Sequence, residues 1–219
     1  MARLRRVALL VTLLGASAWN AEQWRIQYFH DEDASTLALQ DLTFPTAQRG
    51  VAVGSLAEDR RSQPVALLTD DGGVKWSTVE LPEAALSLFF RGGNLGWMVT
   101  SSGVWRSDDA GRTWKRLARL RGLLRVHFIT DQHGFAVGAP KAVYETEDGG
   151  RTWTPVKAAA EPKSTTEFTT YRALDFLDER VGLIAGSSRP PRRERQRLPD
   201  WMDPEQTRLR PERPTLTIM

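Results

Sequence analysis

Three acidic turns, three tyrosines and three histidines hold most of the side chains from which this sequence could assemble chemistry. The turns are Thr69-Asp-Asp-Gly-Gly-Val-Lys-Trp76, Ser107-Asp-Asp-Ala-Gly-Arg-Thr-Trp114 and Thr146-Glu-Asp-Gly-Gly-Arg-Thr-Trp153, and all fit Ser/Thr-x-Asp-x-Gly-x-Thr/Lys-Trp. An acidic turn with glycine resembles a calcium loop, but calcium takes about six to eight oxygens and each turn offers one well-placed carboxylate. No metal is expected. The same residues have a structural job instead. Asp71, Asp109 and Asp148 can accept hydrogen bonds from N–H groups of their own turn, while Thr69, Ser107 and Thr146 add a hydroxyl. Gly73, Gly111 and Gly150 can take a positive φ that a side chain would oppose. Trp76, Trp114 and Trp153 then bury a large ring between neighbouring sheets.

The tyrosines are Tyr28, Tyr144 and Tyr171, and the histidines His30, His127 and His133. Tyr144 lies just before an acidic turn and Tyr171 starts a strand, so each has a packing role. Nothing in the spacing arranges a histidine into a triad. The chain has no H-E-x-x-H, no phosphate-binding glycine loop and no G-x-S-x-G, so neither catalytic residues nor a cofactor are assigned.

The elements that carry these residues follow from repetition, which is read before any single motif. Consecutive turn tryptophans stand 38 and 39 residues apart. A second motif runs between them, an aromatic six places before a glycine: Phe44 and Gly50, Phe90 and Gly96, Phe128 and Gly134, Phe176 and Gly182. A short apolar run follows each glycine. Each repeat therefore reads as two β-hairpins in roughly forty residues. The fold expected is all-β, a propeller of four-stranded antiparallel blades with about three and a half present. Blade 1 is placed at about 36–81, blade 2 at 82–119, blade 3 at 120–158 and a partial blade 4 at 168–219, with an insertion over 188–213.

These motifs resemble the Asp-box, or BNR, repeats of sialidase-like β-propellers. The combination Leu42-x-Phe44…Gly50-x-x-Val53-Gly54…Thr69-x-Asp71-Gly72-Gly73…Trp76 is more closely similar to the propeller family of photosystem II assembly and stability factors, over nearly all of 24–186. That resemblance implies a non-catalytic ring that escorts a newly made protein subunit. The sialidase resemblance implies a tyrosine nucleophile assisted by glutamate, an arginine triad and a Phe-Arg-Ile-Pro motif, in whose place this chain has Trp24-Arg-Ile-Gln27.

The flanks complete the expectation. Residues 1–18 read as a signal peptide: a basic start, an apolar run from Val7 to Leu14, and Ala16 and Ala18 at a small-residue cleavage site. The apolar stretch, about 12 residues, is short of the ~20 that span a bilayer. Export to the periplasm or beyond follows, or to a lumen if the source photosynthesises, with no transmembrane segment in the mature chain. No cysteine is present, so disulfides are not used there. The formal charge of +3 falls to zero once Arg3, Arg5 and Arg6 are removed with the leader. The remaining basic cluster, around Arg192 and Arg193, is followed by Asp200, Asp203 and Glu205. A nucleic-acid partner is therefore not expected.

Trp24 to Phe29 resembles the strand after each Asp box and is read as a closing strand. Tyr171 to Ser187 and Pro214 to Met219 give three strands of the fourth repeat. Either this is a C-terminally truncated part of a six- or seven-bladed ring, which is favoured, or a four-bladed ring closed by Trp24 to Phe29. Partner contact is assigned to two places. One is the loop with Arg192, Arg193 and Trp201. The other is the innermost strands, where Asp41, Arg125, His127 and Asp175 occupy places that alternate with apolar ones; structural pairing between blades is favoured for these four. The function expected is a non-catalytic, protein-binding scaffold or assembly factor; the alternative is a sialidase-like glycoside hydrolase or glycan-binding propeller.

Overall fold

The structure is a computed structural model that describes residues 26–31, 34–160, 164–189 and 215–218. The signal-peptide segment, Trp24 and the insertion residues Arg192, Arg193 and Trp201 lie outside the described residues. Four antiparallel sheets follow one another along the chain. The first holds β1 (Ser35–Thr43), β2 (Gly50–Glu58), β3 (Arg61–Thr69) and β4 (Ser77–Glu80) in that order. The second holds β5 (Ala85–Arg91), β6 (Leu95–Thr100), β7 (Val104–Ser107) and β8 (Lys115–Ala118), and the third β9 (Leu123–Phe128), β10 (Gly134–Gly138), β11 (Ala142–Thr146) and β12 (Thr154–Pro155). The fourth has three strands, β13 (Thr170–Phe176), β14 (Gly182–Ser188) and β15 (Thr215–Ile218).

The leading strands lie side by side, β1 on β5, β5 on β9 and β9 on β13, so the sheets stand as blades around an axis. A blade in that position is covered on both faces. This is why β2 and β6 carry unbroken apolar runs instead of alternation: Gly50–Gly54 and Gly96–Thr100 are buried throughout. Each seam between blades is its own core. Val51, Val53, Ala66 and Leu68 of the first blade meet Leu88, Phe90, Met98 and Trp114 of the second. Trp97, Val99 and Val104 of the second meet Val126, Phe128, Ala136 and Trp153 of the third. Val137 and Val143 of the third meet Tyr171, Leu174 and Ile184 of the fourth. Each fully buried Val, Leu or Phe contributes about 1.5–3 kcal/mol, so the seams are the main source of stability.

All four leading strands carry a register shift at the same place in the repeat: between Leu39 and Asp41, Ala85 and Ser87, Leu123 and Arg125 (opposite Val137/Gly138), and Tyr171 and Ala173. A bulge adds local twist, and its repetition gives each blade the same coil.

The N-terminal expectation needs correction. Residues 26–31 form no strand, and Ile26 and Phe29 are largely exposed. The segment lies instead on the front of the first blade. Tyr28 stands edge-on to Trp76 at 6.4 Å, and the Gln27 amide covers Gly73. In the second and third blades the matching glycines face Val51 and Trp97 of the preceding blade. Gln27 thus takes the place of a neighbouring blade's side chain, a packing role that outcompetes strand pairing for this segment.

Candidate functional site

The three Asp boxes share one hydrogen-bond scheme. The hydroxyls of Thr69, Ser107 and Thr146 donate to Asp71, Asp109 and Asp148 at 2.9, 2.8 and 2.9 Å. The same oxygens accept from the N–H of Gly73, Gly111 and Gly150 at 2.9, 2.8 and 3.0 Å. Each carboxylate then accepts from the N–H four residues on, in Lys75, Thr113 and Thr152, at 2.9 Å. These glycines sit at φ of 91°, 84° and 95°, whereas the position before them accepts alanine, Ala110 at φ 63°. The indole N–H of Trp76, Trp114 and Trp153 closes each turn on the glycine carbonyl at 3.0 Å.

The Phe-Gly motif is the other half of this unit. Phe90, Phe128 and Phe176 pair across the hairpin with Gly96, Gly134 and Gly182. A Cβ on these glycines, or on Gly50 beside Phe44, would stand 2.4–2.7 Å from the ring. With no side chain there, the ring lies flat on the strand and meets the Asp-box indole edge-on. The centroids of Phe44–Trp76, Phe90–Trp114 and Phe128–Trp153 are 6.0, 6.0 and 6.1 Å apart.

The Asp-box carboxylates are held as acceptors. Partial burial works to raise Asp148, but the hydroxyl and N–H of Thr152, the Thr146 hydroxyl and the Arg151 N–H outweigh it and hold the carboxyl at about 2, against an ordinary 3.8. Asp109 is lowered against the same opposing burial, and Asp71 chiefly by the Lys75 N–H. A lowered acid contributes stability above its ordinary value and loses it as the pH falls through the folded value. Asp148→Ala is therefore expected to cost ~1–3 kcal/mol near neutrality. The gap from the parent protein should narrow as the pH falls from 3.8 towards about 2. Denaturant titrations across that range check it, and a gap that stays constant would refute the assignment.

The structure separates the four leading-strand candidates. In a radial arrangement the strand shows its edge to the axis, while its side chains face the neighbouring blades. Asp41 accordingly accepts from the Leu88 N–H of the second blade at 2.8 Å. Arg125 reaches back to the Leu86 carbonyl at 3.2 Å. His127 lies between Phe89 and Phe176, with centroids at 4.5 and 5.0 Å. Only Asp175 among these four is open, its side chain 89% exposed and 3.8 Å from His127. Asp41, Arg125 and His127 thus make contacts between neighbouring blades within the seams.

Two seam features have no counterpart in the motifs. Asp70 bridges Arg49 at 2.9 Å and Arg112 of the next blade at 2.5 Å, while Arg49 also donates to the Gly93 carbonyl at 3.0 Å and to Asn94 at 2.5 Å. Arg91 crosses the following seam to Asp131 at 2.8 Å and to the Ile129 carbonyl. No sequence period announces these pairs. The residues of interest to the hydrolase alternative are engaged in packing: Tyr171 is fully buried, Tyr144 is packed in the second seam and Tyr28 lies on Trp76. An open hollow of about 320 Å³ is lined by Glu145, Glu147, Asp148, Thr152 and Thr154, with Glu145 held by His133 at 2.8 Å. Among the described residues, no helix is long and apolar enough to cross a membrane.

The family model described as photosynthesis system II assembly factor YCF48 matches residues 116–189. The photosystem II assembly lipoprotein Ycf48 of Synechococcus sp. (strain CC9902) is 28% identical over 169 residues, which is 66% of this chain and 46% of that protein. The chain thus spans about half the length of that curated relative. The GH74 enzyme of Niastella koreensis superposes with a TM-score of 0.54 at 16% identity, over 68% of this chain and 26% of the enzyme, a likeness of fold. YCF48 bound to a D1 peptide aligns over 72% of this chain and 95% of its own at 13% identity, with a TM-score of 0.27. Repeat, blade and sequence likeness together make this chain an Asp-box, BNR-repeat propeller similar to the photosystem II assembly factor Ycf48.

Proposed function

We propose that this propeller is a non-catalytic, exported scaffold that holds a segment of another protein during assembly of a larger complex. The observation that carries the reading is the likeness to a photosystem II assembly lipoprotein over two thirds of the chain. The engagement of the Asp-box carboxylates and of the tyrosines in holding the blades together supports it, because those groups are then spent on the fold. Asp41, Arg125 and His127 are likewise occupied in the seams. The partner surface proposed is therefore the fourth blade, with Asp175 at its open edge and the segment carrying Arg192, Arg193 and Trp201 beside it in sequence. The leader over residues 1–18 would deliver the chain to the periplasm, the cell exterior or a lumen.

Binding of a fluorescent D1 peptide to the purified chain, read by polarisation against a scrambled peptide of equal charge, tests the proposal. Saturable binding to the first alone is expected, with Asp175→Arg changing the affinity by about tenfold, or ~1.4 kcal/mol. No binding to either peptide, together with turnover of a chromogenic glycoside, would overturn it in favour of the hydrolase.

A further inference from the structure

The third seam carries a titratable ring where the second does not. Across the second seam, Phe89 and Trp97 of the second blade meet Phe128 of the third, with centroids at 6.3 and 3.7 Å. Across the third, His127 and Phe135 of the third blade meet Phe176 of the fourth at 5.0 and 5.2 Å. His127 is itself capped on its other side by Phe89 at 4.5 Å, so one imidazole links rings of the second and fourth blades. A histidine therefore supplies ring contact at the place where the second blade uses Phe89. Unlike a phenyl ring, an imidazole changes charge between about pH 5 and 8.

We propose that His127 makes the seam between the third and fourth blades acid-sensitive: the neutral ring packs β13 onto β9, and its protonation loosens the fourth blade. The His127 side chain is 20% exposed, so a proton placed on it must be carried largely away from water. Burial pushes its titration below the ordinary 6.5, with Asp175 pulling weakly the other way from 3.8 Å. Asp175 is almost fully in solvent, where an ion pair is worth about 0–1 kcal/mol. The faces of Phe89 and Phe176 would return part of the cost by cation–π attraction, about 0.5–2 kcal/mol, which moderates the effect without reversing its direction.

The surrounding charges leave His127 as the group that titrates. On β9 itself, Arg125 is tied to the Leu86 and Leu124 carbonyls. On β5, Arg91 is paired with Asp131. On β13, Asp175 faces the ring and Arg172 is exposed, while β6 and β10 contribute no titratable side chain. The other histidines are placed elsewhere, His133 on Glu145 and His30 on Ser35.

The sign follows from linkage. The unfolded chain takes up the proton at the ordinary value, 6.5, and the folded chain only at a lower one. Stability from this site is therefore complete above that pH and declines as the pH falls through 6.5 to the folded value. Hydrogen exchange of the full chain at about pH 7.5 and about pH 5.5, expressed as protection factors, reads it directly. On acidification, protection of β13 and β14 relative to β5 and β6 should fall severalfold. In His127→Phe, which keeps a ring in the stack, the relative protection should no longer depend on pH. An equal acid-dependent loss in His127→Phe, or no loss in the parent chain, would overturn the proposal. Should the variant not fold, the imidazole resonances of the parent chain decide: a His127 midpoint below 6.5 supports the switch and one above it refutes it.

Discussion

Replacing Trp97 with alanine is expected to lower the stability of the propeller by roughly 3–5 kcal/mol, the range for deleting a large buried ring. Trp97 is fully buried and lies flat on Phe128 of the third blade, with centroids 3.7 Å apart and planes 12° from parallel. Its indole N–H donates to the Gly149 carbonyl at 2.9 Å, inside the neighbouring Asp box. The Arg106 guanidinium covers the ring at 5.7 Å. Alanine would remove the stack, leave a buried carbonyl without its donor and open a cavity that the second and third blades could close only by moving together. Against a typical total of about 5–15 kcal/mol for a domain, that loss is large enough to leave a substantial unfolded population on mild warming. Trp97→Phe keeps the stack and loses the N–H, so it should cost about 1–2 kcal/mol. Urea titrations followed by far-UV circular dichroism separate the two, and an alanine variant less than about 1.5 kcal/mol below the parent would show that the seam repacks.

The importance of Trp97 was not visible in the sequence, for a physical reason. The residue after each repeat glycine is Val51, Trp97, Phe135 or Leu183. The position is always apolar, but its size is set by the opening in the next blade, which a pattern along one chain segment does not describe. The Asp boxes and the Phe-Gly pairs were legible because their contacts close within a turn or across one hairpin, where spacing alone determines geometry. The bridge from Arg49 to Asp70 and Arg112 was not, since it joins residues 21 and 42 positions apart and occurs once.

A period-two reading of the leading strands picks out their polar places without saying what those places meet. Alternation along β1, β5, β9 and β13 suggests one packed and one free face, as in a sheet lying on a single core. Blades in a ring have a neighbour on each side, so the polar places are also filled from across a seam. Asp41 and Arg125 do this by hydrogen-bonding main-chain groups of the next or previous blade, and His127 by stacking. Asp175 stays open because the fourth blade has no described sheet beyond it. The same logic separates residues 26–29 from a true post-box strand: similar residue types without an Asp box to aim them settle with Gln27 and Tyr28 as a cap on Gly73 and Trp76.

Glycine-to-alanine changes in the Phe-Gly pairs should show how tightly each seam is locked. A Cβ at Gly134 would stand 2.6 Å from the Phe128 ring, and a Cβ at Gly182 2.5 Å from that of Phe176. By local geometry alone the two substitutions are equivalent. Their surroundings differ. Phe128 is 1% exposed, pressed on one face by Trp97 and met edge-on by Trp153, so its ring has nowhere to go. Phe176 is only partly buried, and among the described residues its ring partners are His127 and Phe135 rather than an indole. Gly134→Ala is therefore expected to cost about 3 kcal/mol, at the upper end of overpacking. Gly182→Ala should cost less than about 1 kcal/mol, since ring displacement is cheap there and alanine is the better strand residue. Paired thermal melts decide the matter. Equal losses at the two sites would mean that the Phe-Gly contact is strained by the strand itself, and that the indoles of the Asp boxes do not lock the blades together.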